Sequence, residues 1–167
     1  MIFNIKITGK KVLFAGGGKI AEAKIKKLIK ESPEISVIAP EVTEYIRTLG
    51  KGGKINIIER EIRIDDITEN YFLVICATSN QGLNRKISIE CRKLGILHDD
   101  LSNHRNSDIM MVASTIIGNL TLSISTDGMA PAIARRLKTE LEEDLIHNSN
   151  NFEEDIKTIY NKKNVDA

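Results

Sequence analysis

The chain has 167 residues, with 24 Lys and Arg against 23 Asp and Glu, 41% hydrophobic and 28% charged residues, 11 Gly and 3 Pro. That profile is one ordinary globular domain with a small appendage, and it excludes disordered, collagenous and coiled-coil chains. A net charge of +1, 4% aromatics and no Trp supply neither the field nor the stacking rings for nucleic acid or a membrane surface.

No apolar run approaches the roughly 20 residues of a membrane-spanning helix. The stretch Met1-Ile2-Phe3-Asn4-Ile5-Lys6-Ile7 lacks the basic start and long apolar core of an export signal, so a cytoplasmic protein is expected. Cys76 and Cys91 stand in apolar-periodic segments without metal-ligand spacing and read as buried free thiols.

In chain order, Lys11–Ala15 reads as a buried strand. Lys19–Lys30 reads as a helix with Ala21, Ile25, Leu28 and Ile29 on one face. Ile35–Ala39 is a second strand, after which Pro40 is placed to open a helix towards Leu49. A turn at Gly50–Gly53 precedes a third strand, Ile55–Ile58, and Phe72–Ala77 makes a fourth. A helix carrying Leu83, Ile87, Cys91 and Leu94 follows. The order βαβαββαβ, with apolar rather than alternating strands, predicts a parallel sheet covered by helices. After Gly95 comes a polar stretch, His98–Asp108, and then strand-like runs at Ile109–Thr115 and Leu120–Ser125. The Gly118-Asn119 pair between them reads as a hairpin turn. Pro131 starts a helix striped by Ile133, Leu137, Leu141 and Leu145, ended by His147–Asn151, and Phe152–Tyr160 reads as a further short helix.

Gly16-Gly17-Gly18-Lys19-Ile20-Ala21 follows the first strand and opens the first helix, fitting G-x-G-x-x-A. In that pattern one glycine makes the tight turn and a second admits a pyrophosphate to the backbone. The small third residue lets strand and helix pack, and helix N–H groups meet the phosphate charge. The ribose-binding acid expected at the end of the second strand is replaced by Ala39-Pro40, with Glu41 one step beyond. Glu41 either reaches a ribose or complements the dipole of the following helix. The absence of Lys or Arg there favours NAD over NADP. Ala77-Thr78-Ser79-Asn80 follows the fourth strand, where Thr78 and Asn80 are placed for ribose contact, with helix capping as the other role of Asn80.

His98-Asp99-Asp100-Leu101-Ser102-Asn103-His104 matches no specific metal-ligand spacing. A general acid or base fits it better, because adjacent carboxylates raise each other's pKa, with a solvated loop as the alternative. In the last helix Arg135 and Arg136 lie near the start and Glu140, Glu142, Glu143 and Asp144 load the far end. This reverses the preference of the helix dipole. With Ser125-Thr126-Asp127-Gly128 ahead of the helix, the region reads as an anion site.

These residues together resemble the precorrin-2 dehydrogenase family, the NAD-dependent component of sirohaem synthases. The resemblance runs over about residues 3–146. It is carried by Phe3-Asn4-Ile5-Lys6 with Gly9-Lys10-Lys11-Val12-Leu13, by the triple glycine, by Ala77-Thr78 with Asn84, and most specifically by Ile124-Ser125-Thr126-Asp127-Gly128 with Pro131-Ala132-Ile133-Ala134-Arg135-Arg136. Ala130 departs from the family's serine before the proline, and Leu97–Asn103 departs from its N-V-x-D-x-P stretch.

The resemblance implies a Rossmann-type α/β fold in three parts. These are an NAD-binding domain at 1–108, a hairpin for dimerisation with a substrate loop at 109–130, and a helical segment at 131–167. It implies oxidation of precorrin-2 to sirohydrochlorin by NAD⁺ in a homodimer. Iron insertion into the product, or a non-enzymatic NAD(H)-sensing role, are the alternatives. It places NAD at Gly16, Gly17, Gly18, Lys19, Ile20, Pro40, Glu41, Ala77 and Thr78. The polycarboxylate macrocycle falls at Ser125, Thr126, Gly128, Arg135 and Arg136. The catalytic aspartate falls at Asp100, with Asp99 as runner-up.

Overall fold

In the computed structural model, which describes residues 2–117 and 120–147, the first strand β1 runs from Lys11 to Gly17. Its residues Val12, Leu13, Phe14 and Ala15 are fully buried, as a strand covered on both faces requires. Then come α1 (Lys19–Leu28), β2 (Glu34–Val42), α2 (Glu44–Lys51), β3 (Asn56–Ile58), β4 (Leu73–Cys76), α3 (Gln81–Lys93) and β5 (Leu97–Asp100). The strands form one parallel sheet in the order β3-β2-β1-β4-β5, so the order reverses on either side of β1. In an open α/β sheet that reversal leaves a crevice at the carboxyl ends of the strands.

Side chains alternate across a strand, so β1 feeds two cores. On one face Leu13 and Ala15 join Ile38, Val74 and Cys76 against Ile87 and Cys91 of α3, with Ile62, Ile67 and Ile96 closing the cluster. Helix α1 buries Ala21, Ile25 and Leu28, the face its periodicity predicts, and ends one short turn later in a 3₁₀ segment at Ile29–Glu31.

Two local expectations are corrected. Pro40 does not open a helix: β2 continues to Val42 because Gly17 of β1 pairs with Val42 across a register shift, and Thr43 N–H donates to the Gly17 carbonyl at 3.0 Å. Helix α2 starts only at Glu44, capped by the Thr43 hydroxyl, which accepts the Ile46 N–H. Glu41 therefore lies in the strand and does not serve the dipole of α2. The second correction concerns the polar run after Gly95. His98, Asp99 and Asp100 are not in a solvated loop; they sit in β5 and are buried.

The chain divides into two units, residues 1–110 and 111–167. In the second, β6 (Ala113–Ile117) pairs antiparallel with β7 (Leu120–Ile124); the strand expected from Ile109 thus starts only at Ala113. Helix α4 (Pro131–His147) packs on both strands. The Thr115 hydroxyl donates to Glu142 Oε1 at 2.6 Å, and Lys138 pairs with the same carboxylate.

The helix turns Ala134, 4% exposed, inward. Ile133, Leu137 and Leu141 stand 56%, 42% and 42% exposed, so this part of the predicted stripe is left uncovered. The expected Gly118-Asn119 turn and the Phe152–Tyr160 helix lie outside the described residues. None of the described helices is long and apolar enough to cross a membrane.

Candidate functional site

At the carboxyl edge of the sheet a cleft of about 530 Å³ opens between the ends of β1, β2 and β4. Its walls include Gly16, Gly17, Gly18, Lys19, Ile20, Pro40, Glu41, Ala77 and Thr78, so every position expected to meet a cofactor borders one space. The chain brings Glu61, Ile62, Ser79, Asn80 and Leu83 to the same cleft. Ser79 and Leu83 flank residues already singled out. Glu61 and Ile62 come from the aperiodic stretch after β3, where no motif marks them.

The glycines have separate reasons. Gly16 has φ +113°, and a Cβ there would stand 2.5 Å from the Ala77 carbonyl oxygen and 2.9 Å from the Thr78 nitrogen. Backbone meets backbone, so β1 and the loop after β4 close only around a glycine. At Gly17 a Cβ would meet Val42 Cγ1 at 2.6 Å and the Glu41 carbonyl at 2.8 Å. Gly18, the residue before α1, has open space where its Cβ would be. No side chain caps the start of α1, so its first-turn N–H donors stay available beside that space. A glycine cradle next to uncapped donors fits a dinucleotide pyrophosphate.

Behind the cleft wall, buried Asn84 and Asp100 anchor a polar network that reaches the surface at Ser102. Thr78 Oγ1 donates to Asn84 Oδ1 at 2.6 Å, and the Asn84 amide donates to the Thr78 carbonyl at 3.0 Å and to Ser102 Oγ at 3.2 Å. Ser102 Oγ donates in turn to Asp100 Oδ1 at 2.6 Å. That oxygen also takes the N–H groups of Ser102 and Asn103, while Oδ2 accepts the Asn106 amide at 3.0 Å.

Burial pushes the Asp100 carboxyl up. The Ser102 hydroxyl, the Asn106 amide and the two N–H donors outweigh that push and hold the group below the usual carboxylate range. The expectation of a pKa raised by a neighbouring carboxylate is thus corrected. Asp100 is fixed within this network and does not border the cleft, from which it stands one strand away, paired with Cys76 of β4.

Asp99 accepts from Lys24 Nζ at 3.3 Å and from Ser107 Oγ at 3.2 Å. His98, fully buried, donates from Nε2 to the Asn106 carbonyl, and its Nδ1 lies 2.6 Å from Asp108 Oδ2 but out of line for a hydrogen bond. Among the described residues no group of three or more His, Cys, Asp or Glu is arranged to hold a metal ion. Asn80 caps α3, accepting the Leu83 N–H at 3.0 Å, while also bordering the cleft.

In the second unit, the Ser125 hydroxyl accepts the Asp127 N–H and the Thr126 hydroxyl accepts the Ala130 N–H, shaping a turn in which Asp127 and Gly128 both have positive φ. Arg135 is exposed and unpaired among the described residues. Arg136 pairs with Glu140 at 2.6 Å, which raises its pKa and offsets part of the reversed charge order of α4.

A family model described as putative NAD(P)-binding matches residues 3–113, and one described as sirohaem biosynthesis protein, central, matches residues 118–143. A precorrin-2 dehydrogenase of Priestia megaterium is 32% identical over 141 residues, covering 82% of this chain and 67% of the relative. One of Bacillus subtilis (strain 168) is 28% identical over 139 residues, covering 83% and 85%. A solved structure titled SirC, precorrin-2 dehydrogenase, superposes with a TM-score of 0.73 at 28% identity, covering 86% of this chain and 70% of that one.

Proposed function

The chain belongs to the precorrin-2 dehydrogenase family, and from that premise we propose that it oxidises precorrin-2 to sirohydrochlorin with NAD⁺, a step in sirohaem biosynthesis. The observation that carries the reading is the convergence of Gly16, Gly17, Gly18, Lys19, Ile20, Pro40, Glu41, Ala77 and Thr78 on one cleft at the strand-order reversal. NAD⁺, when bound, supplies the hydride acceptor.

The chain's own residues do the rest. Gly18 and the uncapped start of α1 take the pyrophosphate, and Glu41 takes the adenosine ribose hydroxyls. The loop Ala77-Thr78 bounds the cleft where β4 ends. Asp100 receives the proton released from the macrocycle; its hydrogen bonds keep it ionised at neutral pH, the state in which a base must wait. Ser125, Thr126, Gly128, Arg135 and Arg136 bind carboxylates of the macrocycle. Arg135, exposed and without an ion pair among the described residues, is the most available of them.

The protein works as a cytoplasmic homodimer. Support for self-association comes from the exposed apolar side chains of the second unit, Ile116, Met129, Ile133, Leu137 and Leu141, which a partner copy would remove from water.

Anaerobic incubation of the protein with precorrin-2 and NAD⁺, following NADH and sirohydrochlorin absorption together, tests the reaction. Equal yields of the two products are expected. NAD⁺ binding without turnover would refute the dehydrogenase and leave a dinucleotide-sensing module. Asp100→Asn is expected to lose turnover while binding NAD⁺, and retained turnover would remove Asp100 from the chemistry. Sedimentation at micromolar concentration reads the dimer.

A further inference from the structure

The charged residues bordering the cofactor cleft are Lys19, at the start of α1, and two carboxylates, Glu41 from the end of β2 and Glu61 from the segment after β3. The cleft is therefore polarised. Its glycine end presents a cation and helix N–H donors, and its β2–β3 side presents two negative charges. Neither Glu41 nor Glu61 has a hydrogen bond or ion pair from its carboxylate among the described residues.

The position of Glu61 is built rather than incidental. Arg60 grips Asp66 with both guanidinium nitrogens, at 2.7 and 2.6 Å, and donates to the Glu61 carbonyl at 2.9 Å. Asp66 also accepts the Arg63 N–H at 2.7 Å. Ile62, next in the chain, is 6% exposed and anchored in the core cluster with Ile67. These contacts hold the backbone on both sides of Glu61. The Arg60 guanidinium is spent on Asp66, so it does not neutralise the Glu61 carboxylate.

From this arrangement we infer that Glu61 is a second selector of the unphosphorylated cofactor, acting with Glu41 to exclude a phosphate from the 2′ position of the adenosine ribose. The inference rests on the dinucleotide reading of the cleft. NAD and NADP differ by that one phosphate, which carries between one and two negative charges at neutral pH. A carboxylate costs NAD nothing there and repels NADP. An acid at the end of β2 is the expected partner of a ribose, whereas Glu61 reaches the cleft from twenty residues further along the chain, and it doubles the charge the phosphate would meet.

The test is calorimetric titration of the full chain with NAD⁺ and with NADP⁺, for the native protein, Glu61→Gln and Glu61→Lys. Thermal midpoints serve as a check on folding, which should be unaffected because the side chain is exposed and unpaired. The native protein is expected to bind NAD⁺ at least about tenfold more tightly than NADP⁺. Glu61→Lys should tighten NADP⁺ about tenfold and change NAD⁺ less than about twofold, with Glu61→Gln between and the contrast shrinking as salt is raised. If NAD⁺ binds but both variants keep the native preference, Glu61 is no selector while the cofactor reading stands. If neither nucleotide binds the native protein, the cofactor reading falls and the selector falls with it.

Discussion

Gly16→Ala and Gly18→Ala are chemically the same change two residues apart, yet they should fail in different assays. At Gly16 the new methyl would enter at 2.5 Å from the Ala77 oxygen and 2.6 Å from its carbonyl carbon, with φ at +113°. Backbone atoms cannot swing aside as a flexible side chain can. Overpacking of this kind costs about 1–3 kcal/mol, and holding an L-residue at such a φ costs about 1–3 kcal/mol more, so about 4 kcal/mol in total is expected. At about 3 °C per kcal/mol for a chain of this size, the melting midpoint should fall by about 12 °C.

At Gly18 the methyl meets nothing within 4 Å and the backbone is extended. The stability change there should stay below about 1 kcal/mol, the difference between Gly and Ala as a helix cap. Its cost should appear instead as a loss of about tenfold in NAD⁺ affinity, because the methyl occupies the space where a phosphate approaches the N–H groups. Urea denaturation and calorimetric titration of both variants separate the effects. A Gly16→Ala protein as stable as the native one would refute the close approach of β1 to the Ala77 loop. Unchanged NAD⁺ binding by Gly18→Ala would refute the placement of the pyrophosphate.

Asp100→Asn removes a carboxylate whose folded pKa is depressed, so its stabilising effect is present above the unfolded value near 3.9 and is lost as pH falls through the lower folded value. The variant should be about 2 kcal/mol less stable at pH 7, and denaturation curves of variant and native protein should converge on acidification; a gap that persists in acid would refute the ionised assignment. Burial pushes the thiols of Cys76 and Cys91 up to about 12. Both should resist an alkylating reagent at pH 8 in the native protein and react when urea unfolds it, as read by mass spectrometry. Asn84→Ala should cost about 2 kcal/mol in urea denaturation, because it empties a fully buried site and removes the three side-chain hydrogen bonds that tie the Thr78 loop to Ser102, while an effect below about 0.5 kcal/mol would show that those bonds add nothing to stability.

Strand and helix order was legible in the sequence because the chain writes it in a local code. Val12–Ala15 and Leu73–Cys76 are apolar without alternation, and Ala21, Ile25 and Leu28 recur at helical spacing. Helix α4 shows the limit of that code. Ile133, Leu137 and Leu141 do share a face, but periodicity cannot say whether the chain itself covers it, and it is Ala134 that is buried instead. Proline at position 40 misled for a related reason. Its value as a helix opener is a local property, whereas the extra strand residues up to Val42 are held by a bond to Gly17, which lies in another strand.

The site divides along the same line. The glycines and Ala77-Thr78 could be read because each lies at or just past the carboxyl end of a strand, and the topology puts all those ends on one edge of the sheet. For His98, Asp99 and Asp100 the sequence left a solvated loop open beside an acid or base role, because charged side chains seldom enter a buried strand without partners. Their partners, Ser102, Asn106, Ser107 and Lys24, become visible only when the following loop folds back over the end of β5 and α1 brings Lys24 to Asp99. Glu61 is the extreme case. It belongs to no periodic segment and no motif, and it borders the cofactor cleft only because β3 pairs with β2 and the Arg60–Asp66 clasp fixes the chain just beyond that edge strand. A side chain placed by two such long-range facts leaves no mark in a linear pattern, although it brings a charge to the cleft.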